Sequence, residues 1–290
     1  MPPAVIAAHQ QEEPNASTSA VAQHPHHRPH RIFKVYVTGF GSFEGITENA
    51  SFHVAAHLPS TLDKKYTSHA SDAIKAQDLH VEITGHPTPV TVAYATVEEL
   101  VPKLYEELVD VDLFVHIGVA PFDYYQVETR ARRRPYGPPE GKPDGRKDVD
   151  GKWPVDNSAD RAARGKVPDE VSEIVTGLDV AGICETLAGI YRDENAEGNA
   201  DWEAPRVSDD AGLYLCEFIL YNSMAEAVYG AGYKTGQLES KPVSDPEARP
   251  PSTSRAVFIH IPSDTEEKSL EKSVESVKRI IGAIAVQRVS

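Results

Sequence analysis

Residues 89–120 read PVTVAYATVEELVPKLYEELVDVDLFVHIGVA, and the succession of patterns within them decides the fold class. The first seven, 89–95, are rich in β-branched side chains and read as a strand. From Thr96 the period changes. Val97, Leu100, Val101, Leu104, Tyr105 and Leu108 recur three and four apart, which places them on one face of a helix. The helix runs straight into DLFVHIGVA (112–120), a nearly continuous apolar run of strand length. A strand that is apolar on both faces belongs inside a parallel sheet, and a helical crossover is what makes neighbouring strands parallel.

The alternation repeats on either side. Upstream, RIFKVYVTGFGSF (31–43) opens with the apolar run Ile32–Val37 and ends in a turn at Gly39 and Gly41. ENASFHVAAHLPS (48–60) then reads as a short helix, with Pro59 just past its end. Downstream, GLYLCEFILYNSMAEAVY (212–229) is helical and AVFIHIP (256–262) is a buried strand. The closing helix carries an apolar stripe at Leu270, Val274, Val277, Ile281 and Ile284, with Ser263 and Glu266 spaced as a capping box. The expected fold class is α/β: a single-domain three-layer α/β/α sandwich around a mostly parallel, twisted central sheet. Residues 1–30 read as a disordered Pro/His-rich tail, and 31–290 as one folded domain. Three Pro-, Gly- and charge-rich stretches, near 130–152, 192–206 and 236–255, read as loop insertions.

Charge and cysteine usage narrow the function. Lys and Arg number 29 against 44 Asp and Glu, a net charge of −15. That field repels phosphate backbones and anionic lipid, so no nucleic acid and no membrane is expected as partner. The start lacks a basic segment followed by an apolar one, and no run reaches membrane-span length. Cys184 and Cys216 stand far apart without C-x-x-C or zinc-ligand spacing. Free thiols imply a reducing compartment, and a cytoplasmic location is expected. H-E-x-x-H is absent, and the tail histidines have no ordered shell to orient them. No metal and no cofactor is expected.

Two motif readings fail early. GFGSFEG (39–45) has Glu44 where a dinucleotide fingerprint needs its third glycine, and a carboxylate there repels a pyrophosphate. The G-x-S-x-G elbow of serine hydrolases is absent. Cys216 remains. Leu213, Cys216, Leu220, Met224 and Ala227 form one helical stripe, which reads as a buried, inert thiol. Against this, SDD (208–210) offers N-caps just ahead, placing Cys216 within two turns of a helix start, where free N–H groups favour a thiolate. His260 is equally divided: it sits in an apolar strand, but near the carboxyl end, where open α/β sheets place their sites. Glu128 follows the central strand and can approach from the same edge.

Taken in order, KVYVTGFGSF, ENAS, VHIGVA with VETRAR, VSDDAGLYLCEF and AVFIHIPS resemble the type I pyroglutamyl peptidases, or pyrrolidone-carboxylate peptidases. The resemblance runs from about Lys34 to the C-terminal helix, and D-A-G-x-Y-L-C is its most specific segment. These are cysteine-type omega-peptidases that remove an N-terminal pyroglutamyl residue, so the implied partners are small peptides carrying that cap. The resemblance implies Glu128, Cys216 and His260 as the catalytic triad. It implies Phe40, Phe43 and Asn49 as the residues that bind the cap. The chain also departs from the family. An N-P-S reads NAS here, Val119 stands where bacterial members have glutamine, and a bacterial oxyanion arginine falls near Pro138. Arg130, Arg132, Arg133 and Arg134 cluster after the glutamate as possible substitutes. Two further readings stay open: the same triad acting on another small amide or cap, and a non-catalytic binding relative.

Overall fold

The computed structural model describes residues 31–68, 78–137, 147–154, 159, 167–198, 201–230 and 252–289. The expected tail, Pro138, and most of the insertion expected near 236–255 lie outside these residues. In chain order the elements are β1 (Arg31–Gly39), α1 (Ala50–His57), β2 (Leu79–Gly85), α2 (Tyr94–Glu107), β3 (Leu113–Ala120), β4 (Gln126–Glu128), β5 (Arg130–Arg132), β6 (Glu173–Thr176), α3 (Val180–Ala196), β7 (Arg206–Ser208), α4 (Leu215–Tyr229), β8 (Ser252–Thr253), β9 (Ala256–Pro262) and α5 (Glu267–Val289).

The main sheet has the order β2-β1-β3-β9-β4-β7. Every pairing in it is parallel except β4 against β9. The two-residue alternation of strands sorts side chains into two layers. Phe33, Val35 and Val37 of β1, Leu113, Val115 and Ile117 of β3, and Val257, Ile259 and Ile261 of β9 face one apolar cluster shared with α1, α3 and α5. Tyr36, Phe114, Ala256 and Phe258 face the opposite cluster, built with α2 and α4. The mostly parallel α/β architecture is therefore as expected, and the apolar runs of β3 and β9 are explained by burial on both faces. Among the described residues no helix is long and apolar enough to cross a membrane.

Several local expectations are corrected. The strand expected over 89–95 does not form: Val90 makes one isolated bridge to Phe40, and α2 has begun by Tyr94. The pairing stops at Val90, which donates to Gly39 O at 2.9 Å and accepts from Gly41 N at 2.8 Å. The strand that does pair with β1 is β2, whose Leu79, Val81 and Ile83 are buried while His80 and Glu82 are not. The capping box at Ser263 is also replaced: Asp264 Oδ1 accepts from the Glu266 backbone N–H at 2.9 Å. Finally, parts of two expected loops are built into the fold. β5 pairs with β6, Arg133 and Tyr136 are buried, and β7 joins the main sheet.

Candidate active site

The expected site residues meet at the carboxyl ends of β3 and β9, on the sheet face that α4 covers. Helix α4 is buried almost all round: of its fifteen residues only Cys216 and Tyr229 are not buried. The stripe expected through Leu213 and Cys216 is therefore not what orients this helix. Leu213 lies ahead of it, in a left-handed conformation at φ +47°, next to Gly212 at φ +94°. Tyr214, not the SDD segment, occupies the N-cap position, without a side-chain cap bond. The first helical bond runs from Phe218 N to Tyr214 O at 2.8 Å. Cys216 is thus the second helical residue, one turn earlier than the outer limit of the sequence expectation, and its own N–H precedes the helical ladder.

The Gly212–Leu213 turn is held from within the helix. Glu217, fully buried, accepts from the Leu213 backbone N–H through Oε2 at 2.8 Å. Its charge is met by Arg132, whose Nε and backbone N–H reach Oε1 at 2.7 and 2.8 Å and whose Nη2 reaches Oε2 at 2.8 Å. Arg132 also contacts Asp210. These hydrogen bonds raise the Arg132 pKa further above its ordinary value. A non-glycine residue in the left-handed region costs about 1–2 kcal/mol, and this clamp holds it one turn from the thiol. Nothing in the sequence spacing connects Arg132 with Glu217, which are 85 positions apart.

His260 of β9 lies opposite Gly118 of β3 on one side and Gln126 of β4 on the other. Its Nδ1 is 2.7 Å from Glu128 Oε1, and Glu128 is wholly buried at the end of β4. That bond leaves Nε2 free of Glu128, and Cys216 Sγ lies 3.1 Å from where a Cβ would stand on Gly118, the strand partner of His260. Burial opposes charge on His260, but hydrogen bonds and Coulombic attraction from Cys216 and Glu128 outweigh it and raise the pKa from 6.5 to about 10. The structure thus joins Glu128 to His260 by a hydrogen bond and sets Cys216 close to that pair. His116 and Cys184 are set apart from this group. His116 is buried, bonded through Nδ1 to Thr38 Oγ1 at 2.8 Å, and burial pushes its pKa down to about 3. Cys184 lies on the buried face of α3, and burial pushes its thiol up to about 11.

Beside Cys216 opens a pocket whose walls include Phe40, Phe43 and Asn49, all three expected there. Val92, Val119 and Tyr214, which sequence reasoning did not single out as lining residues, complete much of the wall. Phe40 N donates to Ser51 Oγ at 2.9 Å, and Gly41 N donates to Val90 O at 2.8 Å, fixing the loop after β1. Asn49 caps α1, accepting from Ser51 N at 3.1 Å and Ser51 Oγ at 2.8 Å. Its Nδ2 donates to Gly41 O at 2.9 Å. One amide N–H of Asn49 is left for a ligand, and its other bonds shape the loop that carries both phenylalanines.

Three of the four clustered arginines have other work. Arg130 serves the Asp209 carbonyl and Glu173, Arg132 serves Glu217, and Arg133 serves the carbonyls of Pro168, Asp169 and Val171. They brace the segment between β4 and β6 against the start of α4 and do not point to an oxyanion role. Among the described residues no cluster of His, Cys, Asp or Glu could hold a metal ion.

Solved structures share this architecture. Pyrrolidone carboxyl peptidase from the hyperthermophile Pyrococcus furiosus aligns over 86% of this chain and 96% of its own, with a TM-score of 0.57 and 22% identity. Pyroglutamyl peptidase I from Bacillus amyloliquefaciens aligns over 88% and 96%, with a TM-score of 0.54 and 19% identity. No family model and no curated protein matches the sequence. At these identities the likeness is one of fold.

Proposed function

We propose that the chain is a cysteine-type omega-peptidase that removes N-terminal pyroglutamyl residues from peptides, with Cys216 as nucleophile, His260 as general acid and base, and Glu128 as its orienting partner. One observation carries the reading: in a helix buried on nearly every side, the thiol beside an aromatic pocket is left uncovered and stands close to a carboxylate-backed imidazole. The fold shared with pyroglutamyl peptidases supports it.

The chemistry follows from the geometry. With its pKa raised to about 10 despite burial, His260 takes the proton of the Cys216 thiol. Sulfur attacks the carbonyl carbon of the pyroglutamyl residue, and the bond electrons move onto oxygen. The free N–H groups at the start of α4, that of Cys216 among them, meet the developing oxyanion. As the tetrahedral carbon collapses, the C–N bond breaks and His260 gives its proton to the leaving amine. Water then attacks the thioester with the neutral imidazole taking its proton, which releases pyroglutamate and restores the thiol pair. Buried Glu128 fixes the ring orientation and stabilises the imidazolium. A pyroglutamyl cap is a neutral lactam without an ammonium group, which suits a pocket walled by Phe40, Phe43, Val92 and Val119 and without a facing carboxylate.

The test is hydrolysis of a fluorogenic pyroglutamyl amide under reducing conditions by the native protein and by Cys216→Ser, with prolyl and glutaminyl amides alongside. Turnover of the pyroglutamyl amide alone, lost in the variant, is the expected result. Turnover of a different capped amide would retain the machinery and reassign the substrate. No turnover of any amide by folded protein, with Cys216 inert to iodoacetamide, would leave only the fold in common.

A further inference from the structure

The five residues that join β3 to β4 cannot leave the neighbourhood of His260. Strand β3 ends at Ala120 opposite Pro262, and β4 begins at Gln126 opposite His260 itself. The connection is anchored from below. Tyr125 is buried, its hydroxyl lies 3.3 Å from Ser273 Oγ, and its carbonyl accepts from Arg206 N at 2.8 Å. Above this anchor, Phe122 and Tyr124 stack with ring centroids 4.2 Å apart and planes within 5°. The Arg206 guanidinium closes the far side of the stack, 3.6 Å from the Tyr124 centroid, and is itself held by Glu203. The near side faces the triad: the Phe122 ring stands edge-on to the His260 imidazole, centroids 6.2 Å apart at 73°. Phe122 and Tyr124 are only half-buried, so an ordered aromatic ledge remains open beside the catalytic imidazole.

The proposed reaction gives this ledge a direction. Phe122 stands beside His260, whereas the cap pocket is walled by Phe40, Phe43 and Asn49 next to Cys216. With the lactam ring in the pocket and the carbonyl carbon at Sγ, the leaving nitrogen must face His260 to take its proton. The side chain of the residue bearing that nitrogen starts about 2.5 Å further on. Phe122, with its ring centroid 6.2 Å from that of His260, is an aromatic side chain within reach of it there.

We infer that Phe122, Tyr124 and Arg206 form the subsite for the residue that follows the cap, and that the subsite favours an aromatic or large apolar side chain there. The inference rests on the peptidase reading and adds to it the class of peptide preferred. Because both ends of the stack are already fixed, a ring docking on it loses little further order in the protein.

The experiment measures kcat/KM for pyroglutamyl-Phe, -Leu, -Ala and -Gly amides with the native protein, Phe122→Ala and Tyr124→Ala. Native protein is expected to favour Phe over Gly by about three- to tenfold, the range an added aromatic contact supplies. The ratio should approach one in Phe122→Ala and fall in Tyr124→Ala, which removes the support behind Phe122 without touching His260. Because the ratio is read within each protein, a general loss of rate in either variant does not enter it. Equal kcat/KM across the series in native protein would overturn the subsite and leave the peptidase reading standing. A preference that survives both substitutions would also overturn it. Absence of turnover for every capped amide would instead remove the reading on which it rests.

Discussion

Gly118→Ala tests how closely the central sheet approaches the Cys216 sulfur. A Cβ built on Gly118 would lie 2.5 Å from Phe258 Cζ, 3.0 Å from Phe258 Cε1 and 3.1 Å from Cys216 Sγ. Comfortable carbon contacts begin near 3.5 Å, so the ring must retreat by about 1 Å and the sulfur by about 0.5 Å. Phe258 is fully buried and its ring centroid is 4.7 Å from that of His260, so the retreat is resisted by packed neighbours. Overpacking of this kind costs about 1–3 kcal/mol, less the few tenths to 1 kcal/mol that alanine recovers over glycine in a strand. At about 2–4 °C per kcal/mol for a domain of this size, the melting temperature should fall by about 2–10 °C. Displacing sulfur by half an ångström should lower kcat on the capped amide by about ten- to a hundredfold. Phe258→Leu removes the atom at 2.5 Å, so alanine at 118 should cost at least about 1 kcal/mol less in that background. Thermal unfolding and steady-state rates on the four proteins close the cycle. A Gly118→Ala protein with native melting temperature and native rate, or a cost unchanged by Phe258→Leu, would refute the close approach.

Glu217→Gln keeps the shape of the clamp but removes its charge, leaving Arg132 opposed only by Asp210. Breaking a buried pair costs about 3–5 kcal/mol, and Arg132 is about a quarter exposed. A loss of about 1–3 kcal/mol is therefore expected, read as a lower urea midpoint with slower iodoacetamide labelling of Cys216; an unchanged midpoint would exclude the clamp. Histidine NMR should find one ring that titrates near 10 and not near 6.5, moving down in both Glu128→Gln and Cys216→Ala, since each removes a group that raises it. The sign follows from linkage. A folded pKa above the unfolded value means this stabilisation is complete below about 6.5 and is lost as pH rises through about 10. A native His260 titrating near 6.5 would contradict the geometry. Mass mapping after limited iodoacetamide treatment at pH 7 should find Cys216 modified well before Cys184, whose buried thiol is pushed up to about 11; equal labelling would contradict it.

What was legible in the sequence was whatever the chain states locally. β3 and β9 are buried on both faces, and their unbroken apolar runs say so. The turn after β1 carries Phe40 and Phe43, and the helix after it is announced by Asn49 and Pro59. Composition misled at 89–95, because β-branched residues describe a strand only when a ladder partner exists, and here the pairing ends at Val90. The missed strand β2 carried its own signal, Leu79, Val81 and Ile83 alternating with polar residues. The Arg132–Glu217 pair and the Phe122–Tyr124–Arg206 stack had no such signal. Each joins positions about 80 apart through sheet order, and local periodicity does not encode which strands become neighbours.

Cys216 shows why periodicity alone could not decide between an inert thiol and a nucleophile. An amphipathic stripe identifies a buried face only when the helix has an exposed one, and α4 has almost none. The apolar neighbours that favoured a core cysteine are buried, as that reading required, yet the thiol is not. The difference comes from three placements that surround it: Cys216 is the second residue of the helix, Gly118 opposite lacks a Cβ, and Leu213 is held in a left-handed turn by Glu217. Burial of the rest of the helix then becomes part of the chemistry. A nucleophile must sit within a few tenths of an ångström of its partners, and a helix packed on every side has little freedom to shift. The same apolar run that argues for a core residue supplies the rigid mount on which one uncovered sulfur is aligned with His260.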